Sequence, residues 1–299
     1  MCLGLTSSAK TPLHLLLYGF YPRLLNEANS IVLSKPGKPD YSAPSSFCVI
    51  VFLQTVSKIL QRIVASRLSP LACLTRLLNH NQCGSIPGLC KFNPCPALTH
   101  EIHIHQHLHL KSLTLFLDIN GGFDNISSTV LTSLLRRKGI PHYFVSWVRF
   151  FLADRQYCLI FQGSPNIFLP IQVGTPQGSP VSPLLFVIHV LVLHIPIPRG
   201  SMFSYIDDFT MTVGSLSYQR NCQMFEYLYS VLKRRGVRIG ISFSILKTKI
   251  CYWRTPRERA SPSRLPVSPN GTLLHPTSRV RWLRYWFTPS MEMSTHFQK

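Results

Sequence analysis

Tyr205-Ile206-Asp207-Asp208 places two adjacent carboxylates between two apolar stretches, Met202-Phe203-Ser204 and Phe209-Thr210-Met211-Thr212-Val213. This pattern predicts a tight turn between two strands, with both carboxylates at the turn. Adjacent like charges repel each other, so a fold that directs both into one place usually binds a cation there. The chain has only 11 Asp and Glu against 31 Lys and Arg. A protein so poor in carboxylates that still sets two side by side is expected to use them.

A further carboxylate follows a predicted buried strand earlier in the chain. The strand is Leu113-Thr114-Leu115-Phe116-Leu117, and it ends in Asp118, followed by Ile119-Asn120-Gly121-Gly122-Phe123-Asp124. An acidic residue at the end of a buried strand, before glycines that let a ligand approach the backbone, is a common site architecture. Between the two carboxylate motifs, Gly174-Thr175-Pro176-Gln177-Gly178-Ser179-Pro180-Val181-Ser182-Pro183 predicts a rigid loop that leads into an apolar segment.

These three motifs, in this order, resemble the reverse transcriptase palm of non-LTR (LINE-type) retrotransposons. The flanking segments resemble the same family. Ser34-Lys35-Pro36-Gly37-Lys38 and Val56-Ser57-Lys58-Ile59-Leu60-Gln61-Arg62 are similar to its finger segments. Lys247-Thr248-Lys249 resembles its lysine motif, and Trp282-Leu283-Arg284-Tyr285 resembles its primer-contacting hairpin.

The resemblance implies an α+β fold, the palm of a right-hand polymerase, in which an antiparallel sheet has helices behind it. The fingers are expected to be incomplete and the thumb largely absent. We predict an incomplete fingers region with an uncertain N-terminal segment at residues 1–110, the palm at 111–253, and a basic, Pro-rich linker with a primer-hairpin-like tail at 254–299.

The apolar periodicity predicts local structure independently of the resemblance. Helices are predicted over residues 46–68, 130–135, 144–152 and 219–235, and a strand pair over 157–161 and 167–173 around a turn at 162–165. The last helix is expected to end at Gly236, with Lys233, Arg234 and Arg235 in the final turn, where cations complement the helix dipole.

The resemblance also implies a catalytic site. Asp118, Asp207 and Asp208 would be its carboxylates and would bind two Mg²⁺ ions, with Mn²⁺ as an alternative. The reaction would be two-metal transfer of a nucleotide to a primer 3′-hydroxyl on an RNA template. Asp124 is expected to be structural and to pair with a nearby cation.

Nucleotide binding is assigned by the resemblance to Phe123, Gln177, Gly178 and Lys247. Phe123 would block a ribose 2′-hydroxyl, Gln177 and Gly178 would support the incoming nucleotide and template base, and Lys247 would approach the pyrophosphate. Each residue also has a structural interpretation: core packing for Phe123, a turn for the glycine loop, and an ordinary surface charge for Lys247.

Composition indicates the class of partner. A net charge of +20 and a sequence pI of about 10.0 favour a polyanion. The predicted partners are an RNA template, a DNA primer and deoxynucleoside triphosphates, with no membrane and no defined protein partner. Nine scattered cysteines, an odd number without a Cys-x-x-Cys pair, and no convincing signal peptide favour a reduced intracellular setting, in the nucleus or cytoplasm.

A row of histidines supports a different hypothesis. His103, His105, His107 and His109 alternate, with His100 just before them. In a strand all four would face one side and suggest a zinc or copper site, whereas in a helix they align only in pairs. The resemblance places a helix here, and a histidine-rich metal-binding protein remains an alternative.

Four residues depart from the family pattern. Cys48 stands where an arginine normally holds the triphosphate, Asn120 replaces a lysine, and Arg284 replaces the glycine of the primer hairpin, where a side chain would crowd the backbone. Ile206 replaces a small residue, which is expected to be a mild change. These departures predict a fragmentary, partly degenerate copy that is weak or inactive. The alternative to a polymerase is therefore a catalytically dead, basic nucleic-acid-binding relic of a retroelement.

Overall fold

A computed structural model describes residues 11–37, 40–43, 46–75, 77–161, 164–254 and 266–291. Its helices are α1 (Thr11–Leu17), α2 (Thr55–Leu74), α3 (Pro94–His107), α4 (Ser128–Arg137), α5 (His142–Leu152), α6 (Ser182–His189) and α7 (Tyr218–Arg238). Its strands are β1 (Glu27–Ser34), β2 (Phe47–Phe52), β3 (Gln82–Cys83), β4 (Lys111–Asn120), β5 (Arg155–Phe161), β6 (Ser164–Ile171), β7 (Gly200–Tyr205), β8 (Asp208–Ser215), β9 (Ser242–Phe243), β10 (Lys249–Trp253), β11 (Val280–Trp282) and β12 (Tyr285–Phe287).

The chain divides into two compact units, each assembled from two separate stretches. Unit 1 comprises Met1–Leu77 and Phe123–His189, and unit 2 comprises Leu78–Gly122 and Val190–Lys299. The division at 110/111 and 253/254, made from the sequence on functional grounds, stays a prediction.

Unit 1 contains a four-stranded mixed sheet in the order β2-β1-β5-β6. The β1–β5 pair is parallel, and the β1–β2 and β5–β6 pairs are antiparallel. An aromatic group holds its helices together: Trp147 and Phe151 of α5 stack at 5.1 Å, and Tyr21 packs edge-on against both rings. The Tyr21 hydroxyl is 2.6 Å from the Ser57 hydroxyl of α2, so the buried polar group is satisfied.

Unit 2 is built on a six-stranded sheet in the order β10-β4-β8-β7-β3, with β9 also paired to β4. All its strand pairs are antiparallel except β3–β7. The central strand β4 is buried along most of its length, which explains its apolar sequence. Its buried hydroxyl on Thr114 is satisfied by Thr212 at 2.7 Å and by the Trp253 indole at 2.6 Å. Helices α3 and α7 pack against this sheet.

The structure confirms most of the predicted elements. Helices α4 and α5 and the β5–β6 pair lie where the periodicity placed them, although residues 162 and 163 of the predicted turn are outside the described residues. The helix predicted over 46–68 is wrong at its start, because residues 47–52 form β2 and pair along their whole length with β1. Periodicity alone does not distinguish a helix from a strand in this short run of aromatic and β-branched residues, and pairing with β1 makes it a strand.

The predicted end of α7 at Gly236 is also wrong, since the helix continues to Arg238. Gly236 is buried instead, and a Cβ added there would lie 2.6 Å from the carbonyl oxygen of Ile241. The glycine therefore permits close packing of the following chain on the helix and does not serve as its cap.

The apolar stretch after the glycine-rich loop forms α6, in which seven of eight residues are buried. In the part of the chain that the structure describes, no helix has both the length and the apolar character to cross a membrane.

Candidate active site

The Asp207-Asp208 pair lies on the hairpin that joins β7 to β8, through a two-residue turn formed by Ile206 and Asp207. Ile206 has φ +53°, a left-handed conformation that is unusual for a β-branched residue. The neighbouring strand β3 supports it: the Ile206 amide donates to the Cys83 carbonyl at 3.2 Å. A Cβ added at Gly84 would lie 2.7 Å from Ile206 Cγ1, so only a glycine fits beneath the turn. The expectation that Ile206 is a mild change is wrong, because the position requires a strained backbone.

Asp118 lies directly opposite Asp208 in the β4–β8 ladder. Directly opposite residues in an antiparallel pair project their side chains from the same face, so two like charges are close neighbours here. The Ile119 amide also points to the Asp207 carbonyl at 3.4 Å, which ties the end of β4 to the turn. The three predicted carboxylates are therefore brought together at one end of the sheet.

Lys247 joins this cluster. Its ammonium Nζ lies 2.6 Å from Asp118 Oδ2, with the lysine side chain 61% exposed and the aspartate side chain 22% exposed. The lysine lies in the turn between β9 and β10, two strands that both pair with β4. The Thr248 hydroxyl closes this turn by donating to the Ser244 carbonyl at 2.7 Å. Sequence separation hides this contact, which follows from the pairing of β9 and β10 with consecutive parts of β4.

The electrostatics of the cluster disfavour negative charge. Burial raises the pKa of Asp207, and the nearby Asp118 charge adds to the rise. Burial also raises the pKa of Asp208 to about 7, with further contributions from the charges of Asp207 and Asp118. Lys247 opposes both shifts. Asp207 and Asp208, whose pKa values are raised by burial and by neighbouring negative charge, form with Asp118 a site in which additional positive charge is stabilising.

The carboxylates supply hard oxygen donors of the type that Mg²⁺ and Mn²⁺ prefer. Among the described residues, however, no group of three or more His, Cys, Asp and Glu side chains is arranged to hold a metal ion. In this form of the protein Asp118 pairs with an ammonium instead. The residues fit a divalent ion by their chemistry, and the two-metal site stays a prediction.

A cavity of about 410 Å³ opens beside the carboxylates. Tyr205, Asp207 and Asp208 line one side, and Lys91 and the β11–β12 hairpin line the other. The cations that line it are Lys91, Arg281 and Arg284. Sequence reasoning identified only Arg284, because nothing in the local sequence places Lys91 or Arg281 near the carboxylates.

The β11–β12 hairpin places Arg284 in a turn of a type that favours glycine, and the expected crowding of the backbone stays a prediction. Its two-residue loop has φ +50° at Leu283 and +74° at Arg284. A hairpin loop with two positive φ angles is one in which glycine, asparagine and aspartate are strongly favoured, because a Cβ strains the left-handed conformation.

Three of the predicted nucleotide-binding residues form a separate cluster within unit 1. Phe123 stacks on Phe186 of α6 with ring centroids 5.0 Å apart. The Gln177 amide donates to the Asp124 carboxylate at 3.0 Å and accepts from the Cys48 thiol at 3.5 Å. Asp124 is thus paired with an amide, and the expected cation partner stays a prediction.

Gly178, in the same loop, has φ +121°, and a Cβ there would lie 2.8 Å from the Val51 carbonyl oxygen. The Val51 amide donates to the Gln177 carbonyl at 2.9 Å, so β2 and the loop are joined by their backbones. The glycine is required by this close approach. Lys247, the fourth predicted residue, belongs to unit 2.

The histidine row lies on α3 and the residues just after it, as the helical alternative predicts. His105 is 2% exposed, and its ring nitrogens contact the Ser112 hydroxyl at 3.0 Å and the Glu101 carboxylate at 3.5 Å. Burial lowers the pKa of His105. This is a satisfied core histidine, and among the described residues the histidine row forms no group of three or more side chains that could hold a metal ion.

Comparisons with known proteins agree with this geometry. Residues 34–287 match the family described as Reverse transcriptase (RNA-dependent DNA polymerase). The chain is 27% identical to the probable RNA-directed DNA polymerase from transposon BS of Drosophila melanogaster, over 92% of the chain and 32% of that protein. It is 26% identical to the corresponding X-element protein of the same species, over 75% of the chain and 25% of that protein. The chain thus spans about a third or less of the length of these relatives.

Solved structures are similar in fold. Apo telomerase from Candida tropicalis, truncated from its C-terminal domain, aligns with a TM-score of 0.54 and 11% identity, over 84% of this chain and 54% of that one. Telomerase of that species in complex with a fragment of telomeric RNA aligns with a TM-score of 0.55 and 9% identity, over 84% of this chain and 45% of that one. The likeness shows a polymerase palm-like fold with mixed sheets and helices. The incomplete fingers and the largely absent thumb stay predictions.

Proposed function

The chain belongs to the reverse transcriptase family, in its non-LTR retrotransposon branch, and from that membership we propose that it is an RNA-directed DNA polymerase domain. It would extend a DNA primer with deoxynucleotides on an RNA template. The observation that carries the proposal is the convergence of Asp118, Asp207, Asp208 and Lys247 at one end of the palm-like sheet.

Each residue of this group has a role in the proposed mechanism. Asp118, Asp207 and Asp208 would hold the divalent ions, and the burial and neighbouring negative charge that raise the pKa values of Asp207 and Asp208 favour a cation there. Mg²⁺ held by these carboxylates would lower the pKa of a primer 3′-hydroxyl and would neutralise charge on the transferring phosphate. Lys247, whose ammonium lies 2.6 Å from Asp118, would offset the charge of that carboxylate and would offer a cation to a polyphosphate.

The residues of unit 1 would support the nucleotide. Phe123 is held by stacking on Phe186, which gives it the fixed position that steric selection against a 2′-hydroxyl needs. The backbone around Gly178 offers close approach, and Gln177 would be oriented by Asp124 and Cys48.

Primer extension on an RNA template tests the proposal, with the chain compared with Asp207→Asn. The matched control is Asp154→Asn, which removes an exposed carboxylate whose partner, Arg23, is itself a surface residue. We expect extension by the chain and the control and none by Asp207→Asn. Thermal unfolding with Mg²⁺ gives a second readout, because an ion that binds only the folded protein raises Tm. Equal Mg²⁺ stabilisation of the chain and Asp207→Asn, with no extension by either, would contradict the proposal.

A nucleic-acid-binding relic without turnover is the second candidate, and specific contacts favour it. Cys48 occupies the place of the triphosphate-holding arginine and is engaged with Gln177, and Arg284 holds a strained turn beside the carboxylates. RNA binding that persists without extension, in the chain and in Asp207→Asn alike, would support the relic.

A further inference from the structure

Helix α7 buries one side in the core of unit 2 and carries a groove on its other side. The buried side includes Phe225, Leu228 and Leu232. The groove has a volume of about 550 Å³ and is formed along the last three turns of the helix. Its charged lining residues are Glu226, Lys233, Arg234 and Arg238.

This α7 groove is strongly basic. It has three cationic side chains, all on exposed residues, and one carboxylate. The carboxylate of Glu226 is partly engaged, since it accepts a hydrogen bond from the Ser268 amide at 3.2 Å. Cations in the last turn of a helix offset its dipole, but that role does not require them to converge on one groove. Their convergence is what a phosphate-binding surface needs.

The groove lies toward the catalytic end of the sheet. The first turn of α7 is fixed at the opposite end, where Asn221 donates to the Lys111 carbonyl at the start of β4 at 2.8 Å. The last turns pack on Ile241, just before β9, and β9 pairs with Ile119 and Asn120 beyond Asp118. The last turns of α7, which carry the cations of the groove, and the carboxylates of the proposed catalytic site are therefore at the same end of unit 2.

We propose that the α7 groove binds the phosphate backbone of the RNA template, as a contact outside the carboxylate site. The proposal rests on the proposed function, which supplies RNA as the partner. Guanidinium groups such as those of Arg234 and Arg238 match phosphate geometry by paired hydrogen bonds. Contacts to phosphates position a strand without reading its bases, so binding in the groove is independent of sequence.

The test uses the full chain and a variant with Lys233→Gln, Arg234→Gln and Arg238→Gln. Glutamine has a helix propensity close to those of lysine and arginine, so α7 is retained, and circular dichroism checks this. The matched control is Arg136→Gln, Arg137→Gln and Lys138→Gln, which removes three exposed cations at the end of α4 in unit 1. Both variants lower the net charge from +20 by three, to +17.

Affinity for unstructured RNA is measured by fluorescence anisotropy over a range of salt concentrations, without nucleotides or metal. The RNA is about 30 nucleotides long, so that it can reach more than one contact region. We expect the groove variant to bind it at least about tenfold more weakly at 0.1 M salt. The slope of log K against log salt concentration should become shallower by about 2, which is about 0.7 for each lost phosphate contact. The affinity of the control variant should change by less than about twofold.

Equal losses in the groove variant and the control would overturn the proposal, because net charge alone would then explain them. An unchanged salt slope would also overturn it. If the triple variant unfolds, Arg238→Gln alone should still make the slope shallower by about 0.7. Failure of the proposed function is distinguishable, because it appears as absent primer extension by the unaltered chain, whereas failure of the groove alone leaves RNA binding intact in the groove variant.

Discussion

Replacement of Arg284 by glycine should stabilise the protein, although it removes a side chain from the β11–β12 hairpin. Arg284 has φ +74° in a loop where the preceding residue is also left-handed. A residue with a Cβ in this conformation costs roughly 1–2 kcal/mol relative to glycine. Glycine also increases the conformational entropy of the unfolded chain, which offsets about 0.4–1 kcal/mol of that stabilisation. The expected net stabilisation is about 0.5–1 kcal/mol, or a rise in Tm of about 1–3 °C for a chain of this size.

The control for this experiment is Arg284→Ala, which removes the same cation from the cavity but keeps the Cβ. Alanine should give no gain in stability, because the left-handed strain remains. Urea denaturation of the three proteins at one salt concentration measures the difference. Equal stability of Arg284→Gly and Arg284→Ala would refute the assignment of strain to this position. If both variants are more stable than the parent by the same amount, repulsion among the cations around the cavity, and not backbone strain, is the cause.

Three further predictions concern the support of the site. Gly84→Ala should destabilise the protein by about 1–3 kcal/mol and reduce primer extension. The alanine Cβ would meet Ile206 Cγ1 at 2.7 Å, and the backbone at this position has φ +86°. Urea denaturation measures the loss of stability, and the extension assay measures the loss of activity. Burial lowers the pKa of His194 to about 4, so its contribution to stability is complete above its ordinary pKa of 6.5 and is lost as the pH falls toward 4. Unfolding free energies at several pH values should show a loss of at most about 3 kcal/mol across that range, which His194→Gln abolishes. Lys247→Met should lower the Mg²⁺ concentration that half-maximally raises Tm, because no ammonium then competes for Asp118; an unchanged midpoint would show that the 2.6 Å pair does not oppose metal binding.

The carboxylate cluster was predictable because its residues lie at the ends of strands with a clear apolar pattern. Once β4 and the β7–β8 hairpin are recognised, antiparallel pairing brings Asp118 opposite Asp208 without further information. Lys247 was predictable only through the family resemblance, since its contact depends on β9 and β10 both pairing with β4. Lys91 was not predictable, because its position beside the carboxylates depends on tertiary structure alone.

The errors have equally local causes. β2 was assigned to a helix because a six-residue apolar run carries no period long enough to distinguish the two structures. Gly236 was assigned as a helix end because glycine is common there, whereas the structure uses it to admit the backbone of Ile241. The prediction that Ile206 is a mild change did not take account of the turn geometry, which requires a positive φ at this position whatever the side chain.

Backbone strain around the cavity also bears on the choice between a polymerase and a relic. Ile206, Leu283 and Arg284 are all left-handed without being glycine, and two of them line the same cavity as the carboxylates. Strain of roughly 1–2 kcal/mol for each residue is a large fraction of the 5–15 kcal/mol by which folded domains are typically stable. Such strain persists where surrounding packing enforces it, and here the Leu283 side chain packs on the buried cluster that includes Trp282 and Phe287. The hairpins are therefore held in place by the core behind them, so loss of the favoured turn residues weakens the fold before it displaces the carboxylates. A chain without glycine at these turns can retain the geometry of the carboxylate cluster, which is why activity, and not structure, separates the two proposed functions.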